Sequence, residues 1–189
     1  MPTENKTMKV ETSNVTKLYI TGADRLDPIT VFLEDFEPRK GKITVSCWGK
    51  SWTAFWGGMW DGHTVGSFFC QLDAGYIIGY FDQQMSATKF SGEELMKKVR
   101  GVVLNDRRRG HLDAEDAREL YDEAEELEAA TSLDYLWGGH SDLMNKVFGD
   151  EWWYEADRAS EPNPDYQYLE RIIAAVQQAL QQSPPALAA

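Results

Sequence analysis

The stretch SCWGKSWTAFWGGMW, residues 46–60, carries a tryptophan at every fourth position, which is compatible with either a helical stripe or a β-hairpin. A helix would have to accommodate Gly49, Gly57 and Gly58, each of which is costly inside a helix. A hairpin with Gly49-Lys50 as a two-residue type II′ turn would instead pair Cys47 with Trp52. This pairing collects the apolar side chains on one face, namely Ile43, Val45, Cys47, Trp52, Ala54 and Trp56. The sequence therefore predicts a hairpin.

Two more strands are predicted before this hairpin. Residues 16–21 alternate, with Leu18 and Ile20 on one face, and residues 29–33 are apolar at every second position. Turn-forming residues fill 22–28 and 37–41. Together with the hairpin, these segments predict an antiparallel β-meander of about four strands.

The chain after residue 61 has helical patterns. Short apolar segments at 64–72 and 76–81 are interpreted as helices packed on the sheet. Ser91, with Glu94 three residues later, is typical of a capping box, and the helix it begins is expected to end near Leu104. The longest helix is predicted at 113–129, with an apolar stripe of Ala117, Leu120, Tyr121, Ala124 and Leu127. A short helix is expected at 143–148. After a linker at 161–164 an amphipathic helix follows, with Tyr166, Leu169, Ile172, Ile173, Val176 and Leu180 on its apolar face.

These patterns predict an α+β fold, with an N-terminal antiparallel β-meander packed against a mostly helical C-terminal part. We expect a disordered N-terminus (1–13), a β-meander with short packed helices (14–83), a helical part (84–182) and a disordered tail (183–189). Two cysteines are too few for a disulfide framework, so Cys47 and Cys70 are expected to be buried thiols in a reducing cytoplasm. No apolar run approaches the length of a membrane span, and residues 1–14 do not resemble a secretory signal.

Metal and catalytic motifs give little support for an enzyme. Cysteines and histidines lack the paired spacing of a zinc site, so no metal and no cofactor are expected. Residues 105–116 resemble a calcium-binding loop, but Arg107 and Arg109 occupy positions where carboxylates should bind the cation. No nucleophile elbow, phosphate loop or dinucleotide fingerprint is present. We therefore name no catalytic residue and expect a protein that is not an enzyme.

The charge pattern is more informative. The net charge of −12 disfavours direct binding to nucleic acid or to anionic membranes, and it favours a partner with a basic surface. Acidic residues crowd the predicted helix at 113–129, where only Arg118 offsets them. Two interpretations are open: a solvated face, with or without pairing to the nearby Arg107–Arg109 cluster, or a binding surface for a basic partner. The candidate partner-binding residues are Glu115, Glu119, Asp122, Glu123 and Glu126.

A second candidate surface is the aromatic pair Trp48 and Phe55 on the polar face of the predicted sheet. Tryptophans can stack on sugars or bases, and Trp60, Trp137, Trp152 and Trp153 could extend such a platform. The commoner arrangement is that later helices cover such residues and form a second core.

The hairpin also resembles a known family. The segments GKITVSCWGKSWTAFWGGM (41–59), LDPITV (26–31) and TVGSFF (64–69) are similar to a family of small acidic accessory proteins of tailed bacteriophages and prophages. The resemblance covers roughly residues 15–82. It implies expression in the cytoplasm of a bacterial host, and it implies no catalytic residues.

Phage accessory proteins commonly act by binding a host protein, so the resemblance favours the binding interpretation of the acidic helix. We expect a protein that binds and modulates a host defence or nucleic-acid-processing factor through a DNA-mimic-like acidic surface. The alternative is a small enzyme or ligand-binding module that uses the tryptophan-rich sheet face. A third possibility is a structural part that oligomerises through the C-terminal helix.

Overall fold

The computed structural model describes residues 8–182, which contain six β-strands, eight α-helices and one 3₁₀ helix. The strands are β1 (Thr16–Ile20), β2 (Ile29–Glu37), β3 (Lys40–Cys47), β4 (Lys50–Trp56), β5 (Thr88–Phe90) and β6 (Ser160–Pro162). The α-helices are α1 (Val65–Phe69), α2 (Ala74–Phe81), α3 (Gly92–Arg109), α4 (Ala114–Glu123), α5 (Leu133–Gly139), α6 (Ser141–Phe148), α7 (Trp152–Asp157) and α8 (Pro164–Gln182). The 3₁₀ helix is Ala124–Ala129. The predicted α+β class, with a four-stranded antiparallel sheet followed by a mostly helical part, is confirmed.

The described residues form two compact units. The first comprises the chain up to Met85 together with the chain from Tyr168 onward, and the second is Ser86–Gln167. Residues 8–15 are exposed and have no regular secondary structure. The remaining residues of the predicted disordered ends, 1–7 and 183–189, lie outside the described range.

In the first unit the sheet has the order β1-β2-β3-β4, and every neighbouring pair is antiparallel. Apolar and polar residues alternate along the strands, and because successive side chains of a strand point to opposite sides, the apolar residues all lie on one face, which is buried. Leu18 and Ile20 are half-buried on the edge strand. The fully buried members of this face are Ile29, Val31, Leu33, Ile43, Val45, Cys47, Trp52, Ala54 and Trp56.

The turn of the central hairpin differs from the prediction. Cys47 pairs with Lys50, so Trp48 and Gly49 form the turn, rather than Gly49 and Lys50. Their φ angles of 48° and 72° are both positive, as a type I′ turn requires. The register is displaced by two residues from the predicted one, and an even displacement leaves the same side chains on the buried face.

Hydroxyl pairs on the opposite face explain this register. Ser46 lies across from Ser51 and Thr44 across from Thr53, with Oγ–Oγ and Oγ1–Oγ1 distances of 2.8 and 2.9 Å. The predicted register would have kept only one hydroxyl pair, Ser46 with Thr53, and would have placed Thr44 opposite Phe55. Such cross-strand hydrogen bonds stabilise a sheet by a few tenths of a kcal/mol to about 1 kcal/mol each.

The two short helices predicted after the sheet are confirmed. Thr64 caps α1 in a capping box with Ser67, and Asp73 caps α2 by accepting from the Tyr76 N–H. The C-terminal amphipathic helix is also confirmed, and Gln177 Nε2 on it donates to the Phe69 and Leu72 carbonyls at 3.0 and 2.8 Å. Its apolar stripe of Leu169, Ile172, Ile173, Val176 and Leu180 is buried within the chain itself.

In the second unit α3 is longer than predicted. The helix begins after the Ser91 cap, as expected, but the predicted end near Leu104 is wrong because residues up to Arg109 are helical. Gly110 ends the helix at φ 77°, and the His111 N–H donates to the Asp106 carbonyl at 2.9 Å. Three arginines in the last turn also suit the negative end of the helix dipole. The segment that resembled a calcium loop is therefore largely helix.

The single helix predicted at 113–129 is wrong in its second half. The α-helix α4 ends at Glu123 and continues as the 3₁₀ helix. The end of this 3₁₀ helix packs closely on Gly92, where a Cβ would lie closer than 3.0 Å to the carbonyl oxygens of Leu127, Glu128 and Ala130. The apolar stripe is nonetheless confirmed, since Ala117, Leu120, Ala124 and Leu127 are buried and Tyr121 is half-buried.

Two helices and a strand pair were not predicted. The helices are α5 and α7, and β5 pairs with β6 in a separate antiparallel sheet.

Cys47 is buried as expected, whereas Cys70 is only half-buried, and both are free thiols. Within residues 8–182 no helix combines the length and apolarity needed to cross a membrane.

Candidate functional site

The negative charge of the chain is concentrated in one of the two units. Residues 86–167 contain ten lysines and arginines against twenty aspartates and glutamates, a net charge of −10. The rest of the chain contains nine against eleven, a net charge of −2. A charge that served solubility alone would not need this asymmetry.

Most of that charge comes from one stretch. Residues 113–128, here called the acidic segment, contain nine carboxylates and one cation, Arg118. The net charge of the segment is therefore −8. It comprises the cap residue of α4, the whole of α4 and most of the 3₁₀ helix.

The helix geometry of α4 gathers part of this charge on one side. Glu115, Glu119 and Asp122 are spaced i, i+4 and i+7, which places them within an arc of about 60° and along roughly 10 Å of the helix axis. The buried Ala117 and Leu120 lie on the opposite side. We call the predicted partner-binding residues Glu115, Glu119, Asp122, Glu123 and Glu126 the acidic face. All are exposed except Glu123, which is half-buried.

Neighbouring cations neutralise little of this face. Arg100 lies 3.5 Å from Glu125, which is outside the acidic face, and His140 Nδ1 lies 3.9 Å from Glu126. Among the described residues, Glu115, Glu119, Asp122 and Glu123 form no ion pair within 4.0 Å. The part of the chain that the structure describes therefore shows no pairing with the arginine cluster at 107–109, and both a solvated face and a binding surface stay open.

Helix stability explains only the beginning of the acidic segment. Asp113 accepts from the N–H groups of Glu115 and Asp116 at 2.8 and 2.9 Å, and negative charge near a helix N-terminus is favourable. Asp122 and Glu123 stand at the other end of α4, where the helix dipole repels them. Carboxylates spaced three and four residues apart also repel each other by a few tenths of a kcal/mol per pair. For Glu119, Asp122 and Glu123, therefore, neither the helix nor an ion pair gives a stabilising reason.

The second candidate surface, formed by Trp48 and Phe55, is exposed, but its two side chains lie far apart. Trp48 is 75% and Phe55 54% exposed, so the expectation that later helices cover them is wrong. They do not form one platform, because Phe55 pairs with Lys42, five residue pairs from the turn, a distance of about 17 Å along the strands. Phe55 instead contacts the ring of Phe36, with centroids 6.2 Å apart. That either residue binds a ligand stays a prediction.

The remaining tryptophans serve other contacts. Trp52 and Trp56 are buried in the sheet core, as predicted. Trp60 packs edge-on against Phe68, with ring centroids 5.2 Å apart. In the second unit Trp137, Trp152 and Trp153 pack on each other, with centroids 4.6 to 6.3 Å apart. No group of three or more histidine, cysteine, aspartate or glutamate side chains within residues 8–182 is arranged to hold a metal ion.

Comparison with known proteins adds one finding. A protein-family model described as a phage family matches residues 8–182. No curated protein and no solved structure gives a significant match. The family match covers the whole described chain, including the helical part to which the resemblance of the hairpin did not extend.

Proposed function

This chain belongs to the phage family whose model it matches, and from that membership and its acidic face we propose that it binds and modulates a host protein with a basic surface. It acts in the cytoplasm of the bacterial host, without catalysis of its own. The partner belongs to the host's defence or nucleic-acid-processing machinery, and the acidic face occupies a groove built for nucleic acid.

The observation that carries this proposal is the row of exposed carboxylates without ion pairs along α4. Glu115, Glu119 and Asp122 place three negative charges along about 10 Å of one helix side. A strand of duplex DNA carries one phosphate per 3.4 Å of axis. The charge density of the acidic face is thus within about a factor of two of that of a nucleic acid strand, which supports charge mimicry.

The same charge argues against other partners. A net charge of −12 repels DNA, RNA and anionic membranes, so direct binding to them is opposed by electrostatics. A basic groove would instead attract the acidic segment over a distance of about a Debye length, roughly 8 Å at physiological salt.

The test compares two variants of identical net charge. Glu119→Lys, Asp122→Lys and Glu126→Lys reverse the acidic face, whereas Asp150→Lys, Glu151→Lys and Asp157→Lys reverse three exposed carboxylates elsewhere in the same unit. Each triple variant changes the net charge from −12 to −6.

Wild type and both variants are used for affinity capture from a host lysate, and the retained protein is identified and purified. We expect wild type and the control variant to retain the same protein and the acidic-face variant to lose it. Excess duplex DNA should compete with wild type for the purified partner. Equal retention by the two variants would contradict the proposal, provided that circular dichroism shows both to be folded.

The exposure of Phe55 and Trp48 favours one second candidate, a ligand-binding module or small enzyme that uses the sheet face. The salt dependence of binding distinguishes the two candidate functions. Binding through the acidic face weakens steeply as ionic strength rises, whereas aromatic stacking depends little on it.

A further inference from the structure

The tip of the β3–β4 hairpin has an unusual backbone. Trp48 is the first central residue of the type I′ turn and has a φ of 48°, in the left-handed region. That region disfavours residues with a bulky side chain, and asparagine, aspartate or glycine normally occupies this position. A tryptophan is therefore an unfavourable residue at this position, because the turn requires a positive φ there.

At Arg39, side-chain and backbone hydrogen bonds offset the cost of a positive φ, whereas at Trp48 the described residues form no such contacts. Arg39 has a φ of 70°, and its Nε donates to the Met59 carbonyl at 2.9 Å while the Met59 N–H donates back to its carbonyl at 2.8 Å. The Trp48 side chain is 75% exposed, and within residues 8–182 it makes no hydrogen bond, ring contact or cation–π contact. Neither the turn nor the core of this chain explains the tryptophan.

The tip is also held firmly. The hydroxyl pair Ser46–Ser51 bridges the strands next to the turn at 2.8 Å. Cys47, the residue before Trp48, contacts the Asp27 carbonyl at 3.6 Å and the Tyr168 hydroxyl at 3.4 Å through its Sγ. The indole is thus presented from a fixed backbone, which lowers the entropy lost when a partner binds it.

We propose that Trp48 is an anchor residue that inserts into an apolar pocket of a protein partner, where the indole N–H donates to an acceptor. Backbone strain without internal compensation is a property of functional positions, and tryptophan is the residue most enriched among binding hot spots. The unit that carries Trp48 has nine lysines and arginines against eleven aspartates and glutamates. It therefore lacks the excess of basic residues through which nucleic acids and anionic membranes, the two other classes of macromolecule that accept an exposed indole, attract a protein. The inference does not depend on the acidic face and holds whether or not that face binds the same protein.

The key variant is Trp48→Asn, which gives the Asn-Gly sequence that type I′ turns prefer. Its urea midpoint should be equal to or higher than that of wild type, so any loss of binding cannot be attributed to unfolding. The matched control is Tyr19→Thr, which removes another exposed aromatic ring from the same sheet. A midpoint of Trp48→Asn below that of wild type would overturn the inference, because Trp48 would then stabilise the turn.

The partner is found by introducing a photoreactive benzophenone amino acid at position 50, an exposed position of the same hairpin, in the host cell, so that Trp48 itself is kept. The crosslinked protein is then identified. The dissociation constant of that purified protein is then measured for wild type and both variants. We expect Trp48→Asn to raise it at least tenfold, in the range of hot-spot residues, and Tyr19→Thr to change it less than about threefold. Absence of a crosslinked protein, or equal dissociation constants for wild type and Trp48→Asn, would overturn the inference. So would binding to phosphatidylcholine–phosphatidylglycerol vesicles that Trp48→Asn abolishes, since the anchor would then serve a membrane.

Discussion

Two glycines in α3 should respond in opposite directions to the same substitution. Gly92 is buried at the start of the helix, and a Cβ there would lie closer than 3.0 Å to three backbone carbonyl oxygens of the segment from Leu127 to Ala130. Gly101 is exposed in the middle of the same helix, and a Cβ there would have nothing within 4 Å. Neither has a positive φ, so alanine suits the backbone at both positions.

The magnitudes follow from these surroundings. Gly101→Ala should stabilise the protein by about 0.5–1 kcal/mol, through better helix propensity and a less flexible unfolded chain. At Gly92 the same gain is outweighed, because backbone carbonyls cannot rotate away as a side chain would. Overpacking of this kind costs roughly 1–3 kcal/mol, so Gly92→Ala should be destabilising by about 1–2 kcal/mol net.

Urea unfolding measures the difference. A gap of roughly 2 kcal/mol between the two variants corresponds to about 1 M urea in the midpoint, for slopes of 1–3 kcal/mol per molar. Hydrogen exchange should show lost protection in the 3₁₀ helix Ala124–Ala129 for Gly92→Ala alone. Equal stabilisation by both substitutions would refute the close packing of this segment on Gly92.

Three further outcomes are expected. Trp56→Ala should lower the free energy of unfolding by about 3–5 kcal/mol, because it is a large-to-small change at a position that is 4% exposed. Phe55→Ala, on the exposed face, should lower it by less than about 1 kcal/mol. Chemical denaturation measures both values. Thermal melts with calcium and with a chelator should coincide, because residues 105–116 do not form a cation loop; a reproducible stabilisation by calcium would contradict this. The hydrogen bond with Cys47 raises the pKa of Tyr168 to about 12 from its ordinary value of 10.0. That contribution to stability is complete below pH 10 and is lost between pH 10 and 12, so Tyr168→Phe should flatten the pH dependence of the denaturation midpoint there.

The sequence predicted the sheet well because its signal is local and repeated. Alternation at Ile43, Val45, Trp52 and Ala54 specifies which side chains face the core, whatever the register. The turn was misplaced because Gly49 fits either a type I′ or a type II′ turn. Only the cross-strand hydroxyl pairs, visible once the strands are aligned, distinguish the two registers by their hydrogen bonds.

The helical part was harder because its boundaries depend on tertiary contacts. The change from α4 to the 3₁₀ helix lies within one uninterrupted apolar stripe, and the end of the 3₁₀ helix packs on Gly92, more than thirty positions earlier in the sequence. Helices α5 and α7 are too short for a clear period, with seven and six residues. The exposure of Glu115, Glu119 and Asp122 could be predicted from helical spacing, whereas Glu123 is half-buried and Glu126 lies in the 3₁₀ helix. The role of these residues in binding stays a prediction. That the carboxylates of the acidic face are left without cations required the structure.

Association kinetics test the binding role of the acidic face most directly. The rate constant for association with the captured host protein is measured across a range of salt concentrations for wild type and the two triple variants of net charge −6. We expect reversal at Glu119, Asp122 and Glu126 to lower the rate constant by at least about tenfold at low salt and to flatten its salt dependence. Reversal at Asp150, Glu151 and Asp157 should change the rate by less than about threefold, the limit set by the general field of the protein. Equal rate constants and equal salt slopes for the two variants would contradict a binding role of the acidic face, because net charge alone would then explain the binding.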